Sequence, residues 1–365
     1  MRTDMVRLSR SIRVPGKFFK ADSSSTVDTC IDPQDRYEVL GELGRGCFGK
    51  VRLALDRLSG EKVAIKTVLQ DPQFKNRELS IMRELSHPHV VDLLNFYEVK
   101  IPGSCGIEVH MNLVMDVVPC NLHVHIQKRS RAGQALPIDN VRVLMWQLCR
   151  AVGYVHGLGV AHRDIKPQNL LVDERARFLK LCDFGTAKRV DAGEPSISYV
   201  CSRFYRAPEL ILGSTHYTTK VDSWSIGCVL GEMLVGSPLF PGATSESQMK
   251  TIISLLGSPS RSELTGMNPP LSIQSLPSVR RPLPLEDALA GRAHEGNVSY
   301  RHCPEAVDLL CSLLRYHPVT RAAPFDCLGH SFFDPLRSDP SLVNFTGAEK
   351  AMMGYSCLRA AAFGH

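Results

Sequence analysis

His162-Arg163-Asp164-Ile165-Lys166-Pro167-Gln168-Asn169 sets a carboxylate, a lysine and an amide within one short stretch. Asp164 can accept the proton of an attacking hydroxyl. Lys166 can offset charge on a phosphoryl group in flight. Asn169 offers an amide oxygen, and Asp183-Phe184-Gly185 adds a carboxylate shortly after. A Mg²⁺ ion takes hard oxygens, few of them from protein and the rest from phosphate and water. Asp183 and Asn169 are therefore the candidate metal ligands. Phosphoryl transfer needs positioning and charge neutralisation more than covalent help, and these residue types supply both.

Two further groups lie upstream. Gly44-Arg45-Gly46-Cys47-Phe48-Gly49-Lys50-Val51 is a G-x-G-x-x-G-x-V run. A dinucleotide site would place a helix directly after the glycines. Here they lead into the alternating strand pattern of Val51, Leu53 and Leu55. That pattern suits a flap between two strands, closing over nucleotide phosphates with no Cβ in the way. Phe48 at its tip either shields the phosphates from water or simply packs. Lys66 ends the run Val63-Ala64-Ile65-Lys66 and can reach the α- and β-phosphates of ATP. A flexible ammonium needs an anchor, and Glu78 is the candidate. Taken alone, the pair reads equally as two solvated charges of little worth.

The elements that must position these groups fall into two characters. Lys62–Lys66 and Asn112–Val118 read as strands, and Arg77–Leu85 as a helix stopped by His87-Pro88. Residues 37–119 are thus expected to form a small, mostly antiparallel β lobe with one helix. After Pro119 the pattern turns helical. Ile138–His156 carries Val141, Leu144, Met145, Leu148, Val152 and Val155 at helical spacing. Val221–Leu234 is apolar on most sides and reads as a buried helix. Ala306–Leu314 reads as another. Residues 268–300 are rich in Pro, Ser and Arg and read as a long loop. The expected architecture is α+β: a two-lobed domain over 37–335, its first lobe 37–119 and its second 120–335. A basic extension precedes it at 1–36, and a tail without usable pattern follows at 336–365.

Composition sets outer bounds. The chain has 365 residues, 44% hydrophobic and 22% charged, with a formal net charge of +6. The charge is mild and fits phosphorylated or acidic partners; nothing points to nucleic acid. Twelve cysteines are scattered without a C-x-x-C pair, which argues against zinc and for a reducing compartment. No apolar run is long enough to span a membrane. The first twenty residues carry Arg2, Arg7, Arg10, Arg13, Lys17 and Lys20 against Asp4 alone. That composition reads as a disordered basic arm rather than a transit peptide.

Ala207-Pro208-Glu209, Asp222-Ser223-Trp224-Ser225 and Arg321 complete an ordered set. Together these runs resemble the signature of eukaryotic protein kinases over roughly residues 37–335. In that family Asp222 anchors the catalytic-loop backbone and Glu209 pairs with Arg321. Three stretches are closer still to the glycogen synthase kinase-3 branch: Leu69–Glu84, Leu181–Lys188 and Ser198–Leu210.

This resemblance implies ATP and Mg²⁺ as cofactors. It implies Asp164, Lys166, Lys66 and Glu78 as the catalytic set. It also implies a nucleotide slot of Leu43, Gly44, Gly46, Phe48, Gly49, Val51, Ala64, Lys66, Met115, Asp116, Val118, Gln168 and Leu171. Arg77, Arg163 and Lys188 would form a pocket for a phosphate already on the substrate, four residues C-terminal to the acceptor Ser or Thr. Tyr199 would be a phosphorylation site of the activation segment, received by Arg203 and Arg206. The expected partners are protein substrates, pre-phosphorylated, met by a monomer in the cytoplasm or nucleus. A proline-directed kinase of the same group and a catalytically idle scaffold are the competing readings.

The sequence also departs from that branch. Pro119-Cys120-Asn121-Leu122-His123 lacks the usual acidic residue after the proline and the arginine beyond it, which changes the ribose edge. Glu246, Met249 and Lys250 stand where animal members present aliphatic residues to a scaffold helix, and Leu271 replaces an aromatic. Residues 272–300 lack the Pro-Trp segment. These departures predict weak or no binding to an animal-type scaffold helix. Arg7-Leu8-Ser9 and Arg10-Ser11 are too generic to assign a pseudosubstrate role.

Overall fold

The computed structural model describes residues 33–46, 49–70, 76–103, 106–190, 195–270, 284–290 and 303–339. Readings placed on the N-terminal arm, Phe48, Leu271, most of 272–300 and the C-terminal tail therefore lie outside the described residues. The chain divides into two compact units. One holds the residues up to His87 together with Val91–Val117; the other holds Pro88–Val90 and the residues from Val118.

The first unit is a five-stranded antiparallel sheet in the order β1-β2-β3-β5-β4. The strands are β1 (Tyr37–Gly46), β2 (Gly49–Asp56), β3 (Lys62–Gln70), β4 (Leu93–Gly103) and β5 (Gly106–Met115). Alternation along them puts Tyr37, Ala54, Val63, Ile65, Tyr97 and Val114 into one core. The Tyr37 and Tyr97 rings stack there with centroids 5.8 Å apart. Asp56, buried at the end of β2, takes both arms of the Arg36 guanidinium at 2.8 and 2.6 Å.

Two expectations for this unit need correction. β5 begins earlier than its reading and ends at Met115 rather than Val118. The Asp116 side chain leaves the ladder and accepts the Asp92 backbone N–H at 2.8 Å. The helix is also shorter, Arg77–Met82, capped by Asn76 Oδ1 accepting the Leu79 N–H at 2.9 Å. Beyond it the backbone tightens to i→i+3 bonds, Glu84 N to Ile81 O and Leu85 N to Met82 O.

The second unit is mainly helical. Helix Ile138–Gly157 buries its predicted apolar stripe. Helix Lys220–Val235 is buried along nearly its whole length, as its all-round hydrophobicity requires. Gly227 lets this helix approach Pro304–Leu313: a Cβ there would stand 2.8 Å from Leu314 Cδ2. The stretch read as one long loop contains a helix, Leu285–Ala290, anchored by buried Leu285 and Leu289. Pro282 and Pro284 just before it hid that short i, i+4 signal. Five short strands frame the loops of interest. They are β6 (Cys120–Asn121), β7 (Val160–Ala161), β8 (Leu170–Val172), β9 (Leu179–Leu181) and β10 (Lys188–Arg189).

Glu209 and Arg321, 112 residues apart, close a bidentate ion pair at 2.7 and 2.9 Å with side chains 2% and 0% exposed. Arg321 also donates to the carbonyls of Arg315, Lys220 and Tyr316. Breaking a buried pair from one side costs about 3–5 kcal/mol because a charge is left without compensation. Arg321→Met should therefore destabilise by about that amount, and by more than Glu209→Gln, since it also orphans three carbonyls. Urea denaturation midpoints of the two variants check both the size and the order.

Candidate active site

In the first unit, strand register does the positioning. Gly44 pairs with Val51, Val51 with Lys66, and Ala64 with Met115. The glycine run, the lysine and the slot residues thus lie abreast across β1, β2, β3 and β5. Gly49 is demanded by geometry: its φ is +135° and a Cβ would fall 2.1 Å from the Thr67 carbonyl oxygen. Lys66 Nζ donates to both Glu78 carboxylate oxygens, at 2.7 and 2.9 Å, and both side chains are buried. The alternative of two solvated charges fails here. Lys66 lies in the middle of β3, which runs on to Gln70 rather than ending at the lysine as the sequence pattern predicts, and with the helix capped by Asn76 the strand aims the ammonium. Leu43 is exposed; Ala64 and Met115 are buried.

In the second unit, the loop 162–169 runs from β7 to β8. Leu170 pairs with Leu181 across β8 and β9, and Cys182 N donates to Asn169 O at 3.0 Å. That register brings Asn169 alongside the chain entering Asp183. Asn169 spends its NH₂ on Asp164, donating to the backbone carbonyl at 2.8 Å and to Oδ2 at 3.0 Å. Its amide oxygen is the remaining polar atom, and oxygen is what a hard divalent cation takes. With the Asp183 carboxylate, the donor set fits Mg²⁺. Asp183 holds a left-handed backbone, φ 64°, with its Oδ1 accepting the Gly185 N–H.

Asp164 is buried and fully engaged. Oδ2 accepts from Lys166 Nζ at 2.6 Å, and Oδ1 accepts from the Ser202 N–H and hydroxyl at 3.0 and 2.8 Å. Lys166 also reaches the Ser202 Oγ at 2.9 Å. Ser202 is a site residue that sequence reasoning missed. It sat inside the quoted Ser198–Leu210 run, but nothing in its spacing tied it to a carboxylate 38 positions away.

Beneath the loop, Asp222 opens the buried helix Lys220–Val235. Its carboxylate accepts the backbone N–H of His162 and of Arg163, each at 2.8 Å, and His156 Nε2 at 2.8 Å. His162 then bridges loops: its Nε2 bonds the Cys182 carbonyl at 3.0 Å, and its ring packs edge-on to Phe184. Burial alone would push the Asp222 carboxyl up. The bond to His156, the charges of His156 and His162 and the Arg163 N–H outweigh it and hold the group below the ordinary carboxylate range.

Arg163 and Lys188 share one locality. Lys188 pairs with Ala161 across β10 and β7. Arg163 Nε donates to the Thr186 carbonyl at 2.8 Å and Nη1 to the Tyr217 hydroxyl at 2.9 Å. Lys188 Nζ donates to Ser196 Oγ at 2.9 Å. Arg77, the third expected member, begins the helix of the other unit. Tyr199 is exposed, with the Arg206 guanidinium 4.4 Å above its ring. Hydrogen bonding by Arg203 and then Arg206 lowers its hydroxyl below the ordinary value. Gln168 Oε1 is buried and has no hydrogen-bond partner among the described residues. Leu171 pairs with Asn121, and Val118 is half-buried. Met249 is buried, and Lys250 is exposed and paired with Glu246 at 2.6 Å.

The family model of the protein kinase domain matches residues 37–333. This chain belongs to the protein kinase family, with the two-lobed α+β fold of that family. It is a phosphotransferase that uses ATP and acts on protein substrates. No helix among the described residues is long and apolar enough to cross a membrane.

Asp222→Asn tests the anchor. An amide offers one acceptor atom where the carboxylate offers two, and each orphaned backbone N–H costs about 1–3 kcal/mol. Stability at neutral pH and phosphoryl transfer should both fall. A carboxyl with a depressed folded pKa contributes stability above its unfolded value of about 3.9, and loses it as pH falls through the folded value. The gap between wild type and variant in urea denaturation should hold steady at neutral pH and shrink only below about pH 4.

Proposed function

We propose that this chain is a protein Ser/Thr kinase of the glycogen synthase kinase-3 type, preferring substrates that already carry a phosphate four residues C-terminal to the acceptor. Asp164 takes the acceptor hydroxyl's proton as its oxygen attacks the γ-phosphorus of ATP and the bond to ADP breaks. Lys166, hydrogen-bonded to Asp164, offsets the charge of the moving group. Lys66, fixed by Glu78, holds the α- and β-phosphates. Asp183 and Asn169 hold Mg²⁺, which supplies charge neutralisation at the phosphates when bound.

The primed preference rests on one observation: the ladder sets Lys188 opposite Ala161, two residues before Arg163, whose guanidinium donates to the carbonyl of Thr186, two residues before Lys188. Two cations at one end of the catalytic loop suit a dianion, and Arg77 is the proposed third. Each charge-assisted hydrogen bond to a phosphate is worth about 1.5–3 kcal/mol. Such a pocket favours a primed peptide by a large factor. Ser/Thr rather than Tyr as acceptor rests on the resemblance of the 162–169 loop and on Lys166 at the base.

With Mg·ATP, the purified chain should phosphorylate a primed Ser-x-x-x-phosphoserine peptide with kcat/KM at least about tenfold above its unphosphorylated twin. Arg77→Ala should abolish that advantage while sparing the unprimed rate. Equal rates on the two peptides in wild type would remove the primed reading. A peptide array that selects proline after the acceptor instead would reassign the chain to a proline-directed kinase.

A further inference from the structure

Glu232 lies in the last turn of the buried helix Lys220–Val235 and is 1% exposed. Its Oε2 accepts the Tyr205 hydroxyl at 2.6 Å. Its Oε1 stands 4.0 Å from His123 Nδ1, beyond hydrogen-bond distance. That nitrogen is buried and has no hydrogen-bond partner among the described residues. A shift of about 1 Å and one proton would turn the gap into a hydrogen bond. The neighbouring charges bear on other groups. Lys128, Arg129 and Asp173 act on His125, two residues along the helix Leu122–Arg131. Asp164 and the thiol of Cys228, one turn before Glu232, act on Tyr205.

Taken separately, each partner is driven towards its neutral form. Burial pushes the Glu232 carboxyl up to about 7, against the hydrogen bond from Tyr205, and pushes His123 below its ordinary value. The first turn of a helix also disfavours a cation, by less than about tenfold. Taken together, the balance reverses. Opposite unit charges 4 Å apart attract by the equivalent of roughly a thousandfold at the effective dielectric of a protein site. Burial raises one group past the other, but the attraction is the larger effect.

We propose that His123 and Glu232 share one proton, held on Nδ1, and that His123 is thereby a positioning residue that keeps Glu232 a carboxylate for Tyr205 at neutral pH. Tyr205 matters through its neighbours. Its N–H donates to the Ser202 carbonyl at 3.0 Å, and its own carbonyl accepts the Ser225 hydroxyl at 2.7 Å. The turn Arg203–Tyr205 therefore presents Ser202, whose N–H and hydroxyl both meet Asp164. A hydrogen bond to an ionised acceptor is roughly twice as strong as a neutral one. A carboxylate at Glu232 grips this turn, and a carboxylic acid loosens it. His123 acts through Glu232 and Tyr205 rather than on the reacting atoms. The inference needs the kinase activity but not the primed preference.

The test titrates the full chain, labelled with ¹⁵N-histidine, by NMR, with His123 assigned by its loss in His123→Gln. Its imidazole should release its proton with a midpoint above the ordinary value of 6.5, and in Glu232→Gln the midpoint should fall below it. Phosphorylation is then followed from pH 8 to pH 6 with saturating Mg·ATP, on whichever peptide the wild type turns over. The ratio of His123→Gln to wild-type kcat should fall severalfold towards pH 6. The limit is about tenfold, because one pH unit below its midpoint a carboxyl is about nine-tenths protonated. A second neutral variant, His123→Phe, should give the same ratio. On a Glu232→Gln background the histidine change should have no pH-dependent effect. A wild-type midpoint at or below 6.5, the same midpoint in Glu232→Gln, or a ratio that stays flat from pH 8 to pH 6 would each overturn the proposal. The NMR titration reads the resting chain, so it decides the shared proton even where a variant loses turnover.

Discussion

One buried carboxylate holds the second unit's chemistry in shape. Asp222 has no exposure to solvent, and it accepts two consecutive backbone N–H groups from the turn that begins the catalytic loop. A buried anion is expensive unless it is fully hydrogen-bonded. Here His156 and the two amides satisfy it. The consequence runs outward. With His162 fixed, its ring can tie the Cys182 carbonyl to the loop. With Arg163 fixed, its guanidinium can hold Thr186 on the segment after Asp183. The carboxylate therefore registers two loops against each other without touching substrate.

The first unit solves its own problem independently. Its lysine is aimed by a sheet and a six-residue helix too short to be stable alone. What keeps that helix is its Asn76 cap and the burial of Ile81 and Met82. The Lys66–Glu78 pair sits buried in the interior that results. In such a place an ion pair is worth having only if its geometry is good, and both carboxylate oxygens are used.

Much of this was legible in the amino-acid order. The alternation of Val51, Leu53 and Leu55, the helical spacing of Val141 through Val155, and the compact runs around Asp164 and Asp183 are local signals, and the elements they predict are present. The pairings of Asp222 with the 162–163 backbone and of Glu209 with Arg321 were legible only through resemblance. Ser202 on Asp164, Ser196 on Lys188 and Tyr217 on Arg163 were not legible at all. Each is a hydroxyl whose partner lies 38, 8 or 54 positions away. Serine and tyrosine hydroxyls carry no pattern that announces such a contact. The end of β5 and the helix Leu285–Ala290 were misread for a related reason. A side chain that caps a distant amide, and two leucines just after a pair of prolines, give too little periodicity to weigh.

Arg163 shows how narrow the choice at one position can become. Its backbone is left-handed, φ 65°, which costs a residue with a Cβ about 1–2 kcal/mol. Glycine would relax that twist but would leave the Thr186 carbonyl and the Tyr217 hydroxyl without their donor. Lysine would keep the charge but not the forked geometry that serves both partners at once. Every simple exchange trades one defect for another, so the site is locally frustrated by construction, and the chain keeps a strained turn as the cost of a two-armed donor.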